Sequence, residues 1–390
     1  MKFNVSNAEL ERRWREVRAA MEVAGLDVLV AQANDPLLGG YVRYLTDVSA
    51  HTNFTTVVFP QSDAMTLITH GPRGTDVEMD AHPLYRGVKR HLADPSFTSA
   101  FFTGEFDARS AVKALEPYAR GRIGLVGTAR MAYTFGQFLK EQLPQARFSE
   151  ESALLDSIKA IKSPEELELI RQTARLQDEV MDVLLQAIEP GVVERELTAL
   201  AWEAAYVRGS EAGVIICSSA PAGEAPSGQP MALQNRPLAE GDSMWTLIEV
   251  NGPGGLYAEL GRTIVVGDAP DAMLREVELA SEARRRTLEV MKPGVDASEP
   301  ARVYNEFVRE HARPEEHRIG GHSQGTDFVE RPLLRFDEPM QLAAGMNLAV
   351  HPEWRHEGMI AWVCDNFIVG PEGAGESIHS TPPTVLSASR

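Results

Sequence analysis

The chain is expected to fold as an α/β domain over residues 1–157 followed by an α+β domain over residues 158–390. Three observations point there. With 390 residues and 43% apolar side chains, there is material for two hydrophobic cores rather than one. Helix-period and strand-like segments alternate through the first part, as in a sheet covered by helices. Later, long helical runs are separated from runs of apolar strands, which is the α+β pattern.

The elements follow in order. Ser6 or Asn7 caps a helix reaching Ala24, with Leu10, Trp14, Val17 and Met21 on one face and Gly25 as its stop. Leu26 to Ala31 reads as a buried strand. Asn53 to Phe59 and Met65 to Ile68 form two more, joined by Pro60-Gln61-Ser62-Asp63. An amphipathic helix near Arg109 to Tyr118 precedes a strand from Gly121 to Val126. Ser157 to Lys162 marks the domain boundary, because a strong helix start follows it. Ser163 caps, Pro164 sits at the first helical position and Glu166 closes a capping box. That helix runs to Ile188, before Glu189-Pro190-Gly191, and another spans Arg195 to Arg208. Residues 242–267 give two apolar strands around the turn Asn251-Gly252-Pro253-Gly254-Gly255. Helices at Asp271 to Met291 and Ala297 to His311 lead into a strand-rich end.

Composition narrows the function. A net charge of -18 leaves no basic surplus to neutralise phosphates, which argues against nucleic acid and against an anionic membrane surface. Only Cys217 and Cys364 are present, so no disulfide framework is expected and a reducing compartment fits. The N-terminus shows no apolar signal region, and no apolar run is long enough to span a bilayer. A soluble cytoplasmic protein is the expectation.

Four segments place one metal-competent or acid/base side chain each inside an apolar, strand-like stretch. Glu259 lies on the expected strand Leu256 to Val266. His322 sits in Ile319-Gly320-Gly321-His322-Ser323-Gln324-Gly325, where glycines let the backbone approach closely. His351 follows Leu348-Ala349-Val350 and precedes Pro352, which marks a strand end. Cys364 occupies an apolar strand, where a cysteine by itself is a small hydrophobe. Burying such groups is costly unless they are paired or ligated. Together they predict a polar site on a sheet, hence an enzyme.

Further landmarks carry a resemblance: Ile161-Lys162-Ser163-Pro164-Glu165-Glu166, Glu240-Gly241-Asp242, Arg262-Thr263, Gly321-His322, Gly345-Met346 and Asp365-Asn366-Phe367-Ile368-Val369-Gly370. Through residues 155–380 the chain resembles the pita-bread fold (peptidase family M24) of creatinase, prolidase, aminopeptidase P and methionine aminopeptidase. Its first domain is similar to the N-terminal domain of the creatinase and prolidase branch. In metal-dependent members the resemblance implies two aspartates, a histidine and two glutamates around two metal ions. Those positions fall here on Ile248, Glu259, His322, His351 and Cys364, so a two-metal aminopeptidase is not implied. The family's second histidine is replaced by Val329. The segment Ser227-Gly228-Gln229-Pro230-Met231 lacks the histidine of creatinase, and Gly261 stands where creatinase carries a substrate-binding glutamate.

Two mechanisms are open. In one, Glu259, His322, His351 and Cys364 hold a single zinc or ferrous ion. In the other no metal is used. His322 or His351 takes a proton from water, oriented by Glu259 or Glu353. Trp354, Arg355, His356 and Trp362 would wall the pocket, and Arg331 and Arg355 would hold a substrate carboxylate. The implied reaction is C–N hydrolysis of a small molecule. A lyase or decarboxylase, an Xaa-Pro-type peptidase and a non-catalytic binding protein on the same fold are the alternatives. The resemblance also implies a homodimer.

Overall fold

The computed structural model describes residues 4–80, 82–228 and 235–388. The chain divides into one unit up to Lys159 and another from Ala160. The first contains α1 (Asn7–Ala24), β1 (Val28–Ala33), α2 (Gly40–Thr46), β2 (Thr55–Pro60), β3 (Met65–His70), β4 (Thr75–Glu78), β5 (Val88–Asp94), α3 (Phe106–Leu115), β6 (Arg122–Val126), α4 (Tyr133–Gln142), β7 (Arg147–Glu150) and α5 (Ser152–Ala160). Ser6 caps α1 by accepting the Glu9 N–H at 3.0 Å. β1 begins two residues later than its apolar run, because the Leu26 N–H is still held by the Met21 carbonyl as α1 closes over left-handed Gly25.

The strands form a mixed sheet in the order β4-β5-β3-β2-β1-β6-β7. Val28 and Val30 of β1 pack with Ala108, Ala111 and Phe135 on one face, and Leu29 and Ala31 with Val17 and Met21 on the other. Burial on both faces explains why β1 reads as a continuous apolar run. The polar strands β4 and β7 carry no such signal and were not expected from the sequence.

The second unit contains α6 (Pro164–Ala187), α7 (Glu194–Val207), β8 (Gly213–Ala220), β9 (Ser243–Val250), β10 (Leu260–Val266), α8 (Asp271–Val290), α9 (Ser298–Glu310), β11 (Gly321–Ser323), β12 (Glu330–Leu333), β13 (Asn347–Val350), β14 (Glu353–His356), β15 (Met359–Gly370), β16 (Gly373–Ser377) and β17 (Leu386–Ala388). The capping box at α6 is realised: the Glu166 N–H donates to Ser163 Oγ (3.1 Å) and the Ser163 N–H to the Glu166 carboxylate (2.8 Å). Strand order is β12-β11-β13-β15-β10-β9-β8, with β14 and β16 on β15 and β17 on β10. β8 was not anticipated.

Helices cover one face of this curled antiparallel sheet. Met244, Ile248 and Val250 of β9 pack against Val180, Met181 and Leu184 of α6 and Leu197 of α7. Val265, Ala361 and Val363 pack against Val277 and Ala280 of α8 and Tyr304 of α9. The other face carries Ile216, Trp245, Leu247, Ala349, Trp362 and Cys364. Here the polar site residues gather. Among the described residues, no helix is long and apolar enough to cross a membrane.

Candidate active site

Glu259 lies one residue before β10, not inside the strand expected over 256–266. Hydrogen bonds away from the ladder draw this segment out: the Tyr257 N–H donates to the Gly325 carbonyl (2.8 Å) and the Glu259 N–H to Asn366 Oδ1 (2.6 Å). His322 is the middle residue of β11. Gly321 before it admits no side chain, since a Cβ would lie 2.5 Å from the Ala349 carbonyl oxygen. His351 is the first residue after β13, and its N–H donates to the Gly320 carbonyl at 3.4 Å.

These three side chains are buried, and each offers a ligand atom within 4.8 Å of the others. His322 Nε2 is 3.3 Å from Glu259 Oε2, and the two imidazole centroids are 5.4 Å apart. His322 Nδ1 lies 3.1 Å from the Ser323 carbonyl oxygen. A carbonyl only accepts, so Nδ1 carries the hydrogen. A neutral His322 therefore turns the Nε2 lone pair toward Glu259 Oε2, which no donor satisfies. Two acceptors face one another, and a positive species between them, a proton or a metal ion, resolves the conflict.

Burial opposes ionisation of Glu259, but the neighbouring imidazoles of His322 and His351 outweigh it and hold the carboxyl low. Burial pushes His351 down to about 4, against the attraction of Glu259, so its imidazole is neutral near pH 7. The Cys364 thiol is weakly bonded to the Glu259 carbonyl oxygen at 3.8 Å and is held well above its ordinary value by burial and by Glu259. Its sulfur lies outside the three-residue group.

Glu249 was missed as a site residue. Successive side chains on β9 point to opposite faces. Ile248 turns to the helices, and Glu249 turns inward with Trp245 and Leu247. Glu249 accepts from Gln324 Nε2 at 2.8 Å and feels the charge of Glu259. Burial and the Glu259 charge push its carboxyl well above the usual carboxylate range. The period-two alternation along Trp245, Leu247 and Glu249 was the available signal.

Trp362 forms part of the wall. It stacks on Trp245 at 4.7 Å between centroids and donates Nε1–H to the Thr246 carbonyl (2.9 Å). Gly261 is required beneath it, since a Cβ there would lie 2.4 Å from the indole. The indole thus fills the space over Gly261. Trp354, expected in the same wall, turns to the helix-covered face and donates to Glu276 (2.9 Å), because strand alternation sends it opposite to its neighbours. Arg331 is bound to Glu338, with one contact at 2.5 Å. Arg355 donates to Glu353 (2.7 Å) and to the Pro226 and Ser227 carbonyls (3.0 and 3.2 Å). Gln229, Pro230 and Met231 lie outside the described residues.

A second layer braces these groups. Lys162 Nζ, buried, donates to Glu330 (2.9 Å) and to Ser323 Oγ (3.2 Å), fixing β11 beside His322. On the far side of β15, Asp365 accepts from Arg262 (2.7 Å) and from Arg284.

Residues 168–377, more than half the chain, match the model of metallopeptidase family M24. The protein is a member of that family. It is 27% identical over 240 residues to an Xaa-Pro dipeptidase of Pyrococcus furiosus, covering 59% of this chain and 65% of the relative. It is 28% identical over 185 residues to an ectoine hydrolase of Halomonas elongata, covering 44% and 46% respectively. A creatinase from a Bacillus species matches at 25% over 372 residues, or 90% of this chain and 85% of that one. The chain thus spans less than two thirds of the first two of these relatives. In fold it is similar to an X-Pro aminopeptidase from Thermotoga maritima, with TM-score 0.78, 17% identity, and 96% and 99% of the two chains covered. This M24 member carries the pita-bread fold.

Proposed function

We propose that this protein hydrolyses a C–N bond of a small molecule at a site where Glu259, His322 and His351 hold one divalent cation. The observation that carries this reading is the opposition of His322 Nε2 and Glu259 Oε2 at 3.3 Å, with Nδ1 committed to a carbonyl. Tetrahedral zinc with ligands at about 2.0–2.2 Å places neighbouring donor atoms roughly 3.3–3.6 Å apart, so the His322–Glu259 separation of 3.3 Å suits a shared ion. Two imidazoles and a carboxylate leave a position for water or substrate. When bound, the ion supplies Lewis acidity and lowers the pKa of bound water. Glu249, whose hold on a proton is strengthened by burial and by Glu259, is the group suited to protonate the departing nitrogen. The stacked Trp362 and Trp245 exclude bulk water from one side. In the net reaction water delivers hydroxide to carbon and a proton to nitrogen as the C–N bond breaks.

A second reading needs no metal: His322 itself holds the proton that separates Nε2 from Glu259. What supports it is the 3.3 Å separation of His322 Nε2 and Glu259 Oε2, which is within reach of one shared proton. The relatives suggest creatine, ectoine and Xaa-Pro dipeptides as first substrates. The test measures metal content of protein purified without chelator, and amine release from each substrate before and after chelation. One ion per chain and loss of activity on chelation are expected. Activity indifferent to chelators with substoichiometric metal selects the second reading, and no hydrolysis of any C–N substrate overturns both. His322→Ala is expected to lower kcat at least ~100-fold under either reading.

A further inference from the structure

Two buried amides join Glu249 to Glu259. The Glu259 N–H donates to Asn366 Oδ1 (2.6 Å), Asn366 Nδ2 donates to Gln324 Oε1 (2.9 Å), and Gln324 Nε2 donates to Glu249 Oε1 (2.8 Å). An amide side chain can ordinarily be turned over, exchanging oxygen for nitrogen. Here backbone groups at both ends forbid it. The Glu259 N–H only donates, and the Phe328 carbonyl, which takes the second Gln324 Nε2 hydrogen at 2.9 Å, only accepts. The second Asn366 Nδ2 hydrogen goes to Asn347 Oδ1 (3.3 Å). All four amide hydrogens are thereby used, and both amides are wholly buried. The polarity of the chain is fixed: Glu249 Oε1 meets a donor, and the relay leaves its other oxygen uncommitted. A second arm leaves the same asparagine. The Asn366 N–H donates to His379 Nδ1 (3.4 Å), so His379 Nε2 carries the hydrogen and donates to Gln177 Oε1 (2.9 Å). Gln177 Nε2 in turn donates to the carbonyls of Val250 (2.9 Å) and Ala258 (2.5 Å), the chain neighbours of Glu249 and Glu259.

We propose that Gln324 and Asn366 are positioning residues for the reaction, a single hydrogen-bonded relay of fixed polarity that holds the Glu249 carboxyl against Glu259. Two carboxyls within reach of one another repel when both are charged, and the Glu259 charge acts on Glu249. A restraint is needed to keep them together, and a fully satisfied buried network supplies one. Neither amide acts on a substrate directly; each works through a carboxylate. The inference rests on the hydrolase reading only for the purpose that the positioning serves.

Crystal structures and kinetics of Gln324→Met and Asn366→Asp test this. Gln324→Met keeps the volume and removes the donor to Glu249. Asn366→Asp still accepts the Glu259 N–H but has nothing to donate, so Gln324 turns over and presents Oε1 to Glu249. The Glu249 carboxyl is expected to move by about 1 Å or more in both variants, with the His322–Glu259 separation kept. A shift of that size should lower kcat about 100-fold and leave KM within about threefold of the parent's, because proton delivery to the departing group is felt only in the transition state. Loosened packing alone would not separate kcat from KM in this way. The double variant should be no slower than Gln324→Met, since a relay is broken only once. Unfolding curves establish that each variant is folded; should Asn366→Asp not fold, Gln324→Met decides. A Glu249 carboxyl unmoved in the variant structures, or a kcat equal to the parent's, overturns the proposal. If the parent hydrolyses no C–N substrate, the hydrolase reading fails, and the position of Glu249 in the variants still decides whether the relay holds it.

Discussion

His351 is the residue whose burial has the clearest thermodynamic consequence. Its folded value of about 4 lies below the ordinary imidazole value of 6.5. Between those pH values the unfolded chain binds the proton and the folded chain does not, so stability rises with pH across that window. The contribution is about 3 kcal/mol, fully present above pH 6.5 and lost as pH falls toward 4. In metal-free protein, urea unfolding at pH 4.5 and 7 should show this slope, and His351→Gln should flatten it. A slope unchanged by the substitution would mean that His351 is not buried neutral. The neutral imidazole is also what a metal ligand or a proton acceptor requires. The same burial that costs stability in acid therefore keeps the lone pair available at neutral pH.

β11 is only three residues long, Gly321–Ser323, yet it carries His322. Such a short strand does not hold a side chain in place by its ladder alone. Its neighbours β12 and β13 pair with it, and Lys162 at the entry to α6 reaches Glu330 and Ser323. Lys162→Met removes the cation while Glu330 stays buried, which is expected to cost about 3 kcal/mol. That is the low end for a broken buried pair, because the Thr326 hydroxyl and the Asp327 N–H still donate to Glu330. Denaturant unfolding measures this cost. Replacing both partners, Lys162→Met with Glu330→Leu, should recover most of it. If the double variant is no more stable than the single, the pair contributes through something other than its charge. The motif at residues 161–166, read in the sequence as a helix start, thus also anchors a site strand.

The two units bury separate cores, and the three-residue site lies wholly in the unit from Ala160. A divalent ion that binds only the folded site should therefore stabilise that unit. Zinc at a hundredfold excess over its Kd is expected to contribute about 2.7 kcal/mol. Calorimetric melting with and without zinc checks this, and Glu259→Ala should abolish the shift. A zinc effect that survives Glu259→Ala would place the ion elsewhere.

Hydrophobic period, capping residues and turn residues make the main helices legible along the chain, because these signals are local. Ser163 to Glu166 and the face Leu10, Val17 and Met21 are read from neighbours within a turn or two. Glu259, His322, His351 and Cys364 stand out as polar or reactive groups in apolar stretches for the same reason. Their relation to one another is not local. Glu249 becomes visible only when the pleat of β9 sends Ile248 to the helices, and Trp354 leaves the wall by the same alternation. Arg331 and Arg355 look like free anion holders in the sequence, and only folding brings Glu338 and Glu353 against them. The sequence by itself determined which side chains are costly to bury. The tertiary structure decided which of them meet, because strand parity and pairing across the sheet join residues too far apart in the chain for any local pattern to register.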